Sequence, residues 1–361
     1  MDLGQTDPSH DSRLRAALSG RGPIAGIFII LLVAALRLGA ALLIPITVSI
    51  LLSLLLGPLV RSLRARGIPE WLGAGVLVFG TVGLLGTGVG LLAGPAADWV
   101  QRSPAMLGQI EAKVRRLIVP FKAIQQTAHQ VEQAASPSDG TTPQKVEVQA
   151  PGLMTRLGGG TATLVAATLT IVFLTYFLLA TEQRFRARLV GLQRDRLHQE
   201  RMEHALGEIE RQTSRYLLFT TIISIGLGGC TWGLLALAGL PSAGLWGLAA
   251  GVLNFIPYAG GLITGVLLAA AALLSFDGIE RTLVVVGGFS LIHLVTGNFV
   301  TPALLGRKLP LNPVALFVFL LFWAWVWGIP GAIIAVPLTV MVKVICDHVE
   351  SLRPVAAFLD N

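Results

Sequence analysis

Apolar residues run through this chain in long blocks separated by short polar breaks. The blocks extend from Ile24 to Ile44, Pro45 to about Val60, Trp71 to Ala93, Thr161 to Ala180, Leu217 to Ala238, Ala243 to Phe276, Thr282 to about Thr301, and Pro313 to Val344. A helix needs about 20 apolar residues to cross a bilayer, and inside hydrocarbon only helices and closed barrels satisfy their own backbone. The pattern predicts an all-α polytopic integral membrane protein with about eight transmembrane helices. It divides the chain into a cytoplasmic tail (1–23), three transmembrane helices (24–93), an extracytoplasmic insertion (94–158), a fourth helix (159–180), a cytoplasmic amphipathic linker (181–216), four more helices that hold the expected transport site (217–345) and a C-terminal tail (346–361). Pro45 is expected to separate the first two spans.

The polar stretches carry their own periodicities. In the linker, Phe185, Leu189 and Leu192, then Met202, Leu206, Ile209, Thr213 and Tyr216, recur at threes and fours, the spacing of an amphipathic helix. The insertion begins as a mixed-charge helical stretch and passes into SPSDGTTPQ, Ser136 to Gln144, which reads as a loop. Gly86, Gly90 and Gly94 strip one face of the third span, and the pairs Gly229/Gly233, Gly247/Gly251 and Gly261/Gly265 do the same later. Such faces let helices approach closely, within the chain or in a homo-oligomer.

Composition and charge give an expected orientation and class. The chain is 53% hydrophobic and 13% charged, with a net charge of +7. In a soluble protein that basicity would point to nucleic acid; here the positive-inside rule accounts for it, and no nucleic-acid partner is expected. With both termini in the cytoplasm of a cell whose inner membrane holds the chain, 17 of the 27 Lys and Arg face inward, eight of them in the linker. Arg307 and Lys308 fit poorly, so the Pro-rich connection around them is read as dipping back into the protein. Arg37, near the end of the first span, reads as snorkelling to the interface. Cys230 and Cys346 lie far apart with no metal-ligand spacing, and His198 and His204 are six apart. The expectation is no metal and no cofactor.

The sixth block contains the chain's most informative break. GLWGLAAGVLNFIPYAGGLITGVLLAAAALLSF is interrupted by Asn254, Pro257, Tyr258, Gly260 and Gly261. Pro257 has no N–H, so the carbonyl of Leu253 is expected to lose its helical partner and open to a solute or ion. Asn254 and Tyr258, one turn apart in a helix, would present an amide and a phenol on that side. Broken helices with convergent polar groups are how many transporters build a midplane site; the plainer reading is a proline kink.

Two further positions extend the candidate site. Pro302 is expected to free the carbonyl of Asn298, and His293 stands one turn before Gly297. His293 is the one ionisable side chain deep in the C-terminal spans, and imidazole suits proton coupling near neutral pH; a hydrogen-bonded packing histidine is the alternative. In the last span GIPG, Gly328 to Gly331, predicts a second break that includes Pro330. Trp323, Trp325 and Trp327 alternate and read as a packing or interface cluster.

The succession NFIPYAGG, GNFVTPALLGRKLPLNP and WGIPGAIIAVPLTVMVK, together with GPLVRSLRARGIPEWLGA in the N-terminal half, resembles the autoinducer-2 exporter family of bacterial membrane transporters over about residues 24–355. The resemblance implies an eight-span inner-membrane transporter of a small-molecule or ion substrate with an extracytoplasmic insertion after the third span. Within it, export of a quorum-sensing signal and sodium/proton-type antiport both remain open, and so does a passive oligomeric channel. No GxxxxGK[ST] phosphate cradle, paired catalytic carboxylates or HExxH occurs in the spans, so neither a pump powered by ATP nor an enzyme is expected, and no catalytic residue is assigned.

Overall fold

The computed structural model describes residues 21–129, 153–191, 196–305 and 312–348, and among them there is no strand. The helices, in chain order, are α1 (Arg21–Leu38), α2 (Ala40–Ala65), α3 (Glu70–His129), α4 (Leu153–Gly191), α5 (Arg196–Ala238), α6 (Ala243–Leu253), α7 (Ala259–Ser275), α8 (Ile279–Val295), α9 (Thr301–Leu305) and α10 (Pro313–His348), with a π turn at Thr296–Val300 between α8 and α9. Six segments are long and apolar enough to cross a membrane: Ala40–Ala65, Glu70–Trp99, Thr163–Glu182, Gln199–Ala238, Ile279–Leu304 and Pro313–Asp347. Three shorter apolar helices, Gly26–Leu38, Ala243–Leu253 and Ala259–Ser275, accompany them. The chain is an all-α polytopic membrane protein whose C-terminal half carries broken helices.

The first break lies elsewhere than expected. Pro45 sits inside α2, and the chain turns at Gly39 instead, whose N–H donates to the Ala35 carbonyl at 2.8 Å. Pro45 is close enough to the start of α2 that few helical hydrogen bonds are lost there. Ser49 Oγ then donates to the Pro45 carbonyl at 2.6 Å. Beyond the third span, α3 continues without a break into the insertion and reaches 60 residues. The expected loop from Ser136 to Gln144 lies outside the described residues, as do Arg307 and Lys308. The arginine-rich linker is built from the C-terminal end of α4 and the N-terminal end of α5, both continuous with their spans.

Helix α5 is the centre of the packing: it touches α2, α6, α8 and α10. Its tightest contact is with α6, where a Cβ on Gly228 would stand 2.8 Å from the Gly247 carbonyl and one on Gly251 would stand 2.9 Å from the Ser224 carbonyl. Gly247 and Gly251 therefore form the close face that their spacing predicts. The facing glycine is Gly228, because Gly229 and Gly233 meet nothing within 4 Å; the same holds for Gly86, Gly90 and Gly94. On the other side of the bundle α2, α3 and α4 share a cluster of Leu56, Val60, Ala74, Val78, Val172 and Leu179. Thr175 Oγ1 donates to the Ser49 carbonyl at 3.4 Å and fixes the α2–α4 register.

Candidate functional site

The sixth block is two helices, α6 of 11 residues and α7 of 17. Leu253 and Gly260, seven residues apart, would be separated by a rise of about 10 Å in a straight helix. Here a Cβ on Gly260 would lie 2.0 Å from the Leu253 carbonyl oxygen, so the chain bends back sharply across Asn254–Tyr258. Tyr258 completes the bend at φ 60°, ψ −49°, a conformation that ordinarily costs an L residue about 1–3 kcal/mol.

That geometry changes the expected chemistry. The Leu253 carbonyl is not left open by Pro257, because the Ile256 N–H donates to it at 2.9 Å and the Gly260 backbone covers it. Asn254 and Tyr258 do not share a helical face. The Asn254 amide reaches across to α5, where Nδ2 donates to Ser224 Oγ at 3.0 Å, whereas Tyr258 is 63% exposed. Ser224 is thus a partner that sequence reasoning missed; its only sequence signal is a hydroxyl on an apolar span.

The last block repeats the bend. Inside α10, Gly328 has φ 67°, ψ −142°, and a Cβ on Gly331 would lie 2.0 Å from the Trp323 carbonyl oxygen, eight residues back. Gly328 and Pro330 are exposed, while the side chains beneath them are buried. Trp327 Nε1 donates to the Leu36 carbonyl near the end of α1 at 2.9 Å, which uses one of the carbonyls a helix end leaves unpaired. At the next residue of α1, the Arg37 guanidinium lies over the Trp325 ring at 5.1 Å. An aromatic face, rather than water alone, receives the charge expected to snorkel.

The two bends meet. Ile256 of the first is buried in one cluster with Leu320, Trp323, Val326, Trp327 and Ile334 around the second, and Leu253 and Ala259 pack against that cluster. Within it Trp323 Nε1 is buried and has no hydrogen-bond partner among the described residues. Sequence reasoning read this tryptophan as packing; only its position between the two bends singles it out.

His293 and Asn298 are placed differently from each other. The His293 ring stacks on Phe289 at 5.9 Å and 22°, and a Cβ on Gly261 would fall 2.2 Å from its Nε2, so α7 approaches the imidazole closely. Its Nδ1 is buried without a partner among the described residues. Asn298 lies in the π turn and is exposed, with Nδ2 donating to the Leu294 carbonyl at 2.9 Å, four residues back. Gly260, Gly261 and His293 therefore flank the first bend, Gly328 and Pro330 cap the second, and the Asn298 amide is turned onto its own helix. Among the described residues no group of His, Cys, Asp or Glu could hold a metal ion.

Two broken helices whose bends contribute to one apolar cluster, in a bundle of long apolar helices, define a class of multi-pass membrane proteins with irregular backbone in their spans. A family model described as AI-2E family transporter matches residues 27–351, and the chain belongs to that family. It is 25% identical over 343 residues to the AI-2 transport protein TqsA of Escherichia coli (strain K12), covering 92% of this chain and 93% of that one. It is 25% identical over 318 residues to the "Putative transport protein YhhT" of the same strain, covering 88% and 87%. A "Putative transport protein" of Borreliella burgdorferi is 32% identical over 200 residues, covering 54% of each chain.

Proposed function

We propose that this chain is an inner-membrane secondary transporter that exports a small polar solute of the autoinducer-2 kind, along a path between the two bends. The observation that carries the reading is their convergence, seventy residues apart in sequence, on one cluster that leaves the Trp323 indole N–H without a partner. A buried donor without an acceptor is costly, and an oxygen-rich solute would supply the acceptor. Asn254, Pro257, Tyr258, Gly260 and Gly261 form one wall, and Gly328 and Pro330 the other. The names of relatives support transport, and AI-2 in the name of TqsA supports the solute; the outward direction rests on the resemblance to the exporter family.

The test compares autoinducer-2 and other metabolites inside and outside cells that express the protein, lack it, or carry Trp323→Phe at matched membrane levels. Loss of the extracellular solute in the null strain and in Trp323→Phe is expected. Unchanged export by Trp323→Phe would remove the path from the bends. Orientation is tested separately, in a chain freed of its two native cysteines. A cysteine at Ser138 should react with an impermeant reagent on spheroplasts and one at Arg194 should not; equal labelling would end the assignment of both termini to the cytoplasm.

A second reading, proton-linked antiport, is favoured by one observation. His293 carries a buried, unpartnered Nδ1, and α7 closes on the Nε2 side of the same ring. Proton coupling then requires the imidazole to exchange protons as the first bend moves against α8.

A further inference from the structure

A cavity of about 580 Å³, lined by no residue of either bend, lies at the arginine-rich ends of α2, α4 and α5. Pro58 and Leu218, at the ends of apolar spans, form its inner side, and Arg61, Arg186, Arg211 and Arg215 line the rest. That places it at the depth of lipid headgroups. Two carboxylates also line it, and both are neutralised: Arg61 pairs with Glu182 at 3.0 Å and with Glu210, and Arg186 pairs with Glu210 at 3.1 Å. Arg186 comes this close because position 207 has no side chain; a Cβ on Gly207 would stand 3.1 Å from its Nη2. Arg211 is held by Glu208 on its own helix.

What remains is one guanidinium and one hydroxyl. Arg215 has no carboxylate partner among the described residues and only lies over the Phe219 ring at 5.8 Å. Ser214, beside it in the lining, is 4% exposed, and its Oγ has no hydrogen-bond partner among the described residues. An unpaired cation next to a buried donor, on a rim of fixed guanidiniums, is the chemistry that recognises a phosphate oxyanion.

We propose that this cavity binds the phosphate group of an anionic ligand, with Arg215 and Ser214 as its direct contacts and the ion-paired Arg61 and Arg186, fixed by Glu182 and Glu210, as its charge-balanced rim. Two sources offer that group: the headgroup of an anionic phospholipid, which basic pockets between spans accept, and a soluble phosphate. The inference stands apart from the transport path, since no residue is shared with either bend.

The whole chain is reconstituted in nanodiscs of phosphatidylcholine, with and without phosphatidylglycerol, and its thermal midpoint is read; inorganic phosphate is titrated into the phosphatidylcholine discs as a second arm. A rise with phosphatidylglycerol alone assigns the site to lipid, and a rise with phosphate assigns it to a soluble anion. In Arg215→Gln and Ser214→Ala the response should weaken by roughly tenfold in the concentration required, as for a lost hydrogen bond to a charged group. Ser214→Ala should also leave the midpoint in phosphatidylcholine unchanged or higher, because it deletes an unsatisfied hydroxyl, so folding and binding are read separately. Arg188→Gln, an exposed arginine outside the lining, should respond as the parent does. No rise in either arm, an undiminished response in both cavity variants, or an equal loss in Arg188→Gln would overturn the site.

Discussion

The bends at Tyr258 and Gly328 solve one steric problem with different residues. In each, a glycine slips beneath a carbonyl seven or eight positions earlier: Gly260 under Leu253 and Gly331 under Trp323. At the second bend the left-handed position is itself a glycine and the turn is unstrained. At the first it is a tyrosine, held at φ 60°. Their braces differ as well. The first is tied by a side-chain pair, Asn254 to Ser224, to the central helix α5, and the second by an indole to the end of α1. On the proposed path, the strained bend braced by polar side chains is the better placed to change shape with a bound solute, and the glycine bend would be its fixed opposite wall.

The largest expected effects come from filling the two crossings. Gly260→Ala and Gly331→Ala each drive a methyl to 2.0 Å from a backbone carbonyl, which no rotamer change relieves. Both should lose about 3 kcal/mol or more, the upper end for overpacking, and yield little monodisperse protein from membranes. If Gly260→Ala purifies normally while Gly331→Ala does not, the first bend is already mobile and the comparison sharpens in the direction proposed.

Next in size is the coupling test. His293→Gln keeps a hydrogen-bonding side chain and fits beside Gly261, but it cannot exchange protons. In proteoliposomes it should abolish accumulation driven by a pH gradient while downhill exchange continues. Full proton-driven accumulation by the variant would make His293 a packing residue and remove antiport.

Much of this architecture was legible because Pro and Gly punctuate apolar runs conspicuously. The helical character of the apolar blocks and the two C-terminal breaks follow from period and breaker residues, whereas the boundary expected at Pro45 falls at Gly39 instead. Side-chain directions at the breaks were not legible. The pairing of Asn254 with Tyr258 assumed a helix that has already ended at Leu253, and the open Leu253 carbonyl assumed that nothing else would cover it. Small faces were visible, but whether Gly228 or Gly229 meets Gly247 depends on the rotation of a facing helix, which period alone does not fix. Nor does sequence show that Arg61 finds Glu182 and Glu210, 121 and 149 positions away. Trp323 was visible only as one of three alternating tryptophans, a packing signal that says nothing of its unpartnered N–H.

A smaller effect is expected at the polar brace. Asn254→Ala removes the hydrogen bond to Ser224 and should cost about 0.6 kcal/mol, the average for side-chain bonds between membrane helices. The folded amount should hardly change while export falls. Equal losses of export and of folded protein would mean that Asn254 only fixes the bend.

The smallest change in stability, and the one with the opposite sign, is expected at Tyr258. Glycine accepts the backbone conformation at that position without steric cost, so Tyr258→Gly should relieve strain; most of the gain is offset by the freedom glycine gives the unfolded chain, leaving a net of a few tenths of a kcal/mol. The ring is exposed, so little packing is lost with it. The thermal midpoint of the purified protein reads this directly, and export by the same variant reads its meaning. A midpoint that rises while export falls places the strain at the first bend in the service of transport, as expected of a conformation held against its preference. A midpoint that rises with export intact makes the strain incidental, and the two bends are then equivalent walls. A midpoint that falls shows that Tyr258 contributes packing outweighing its backbone, and the contrast between a strained and an unstrained bend fails.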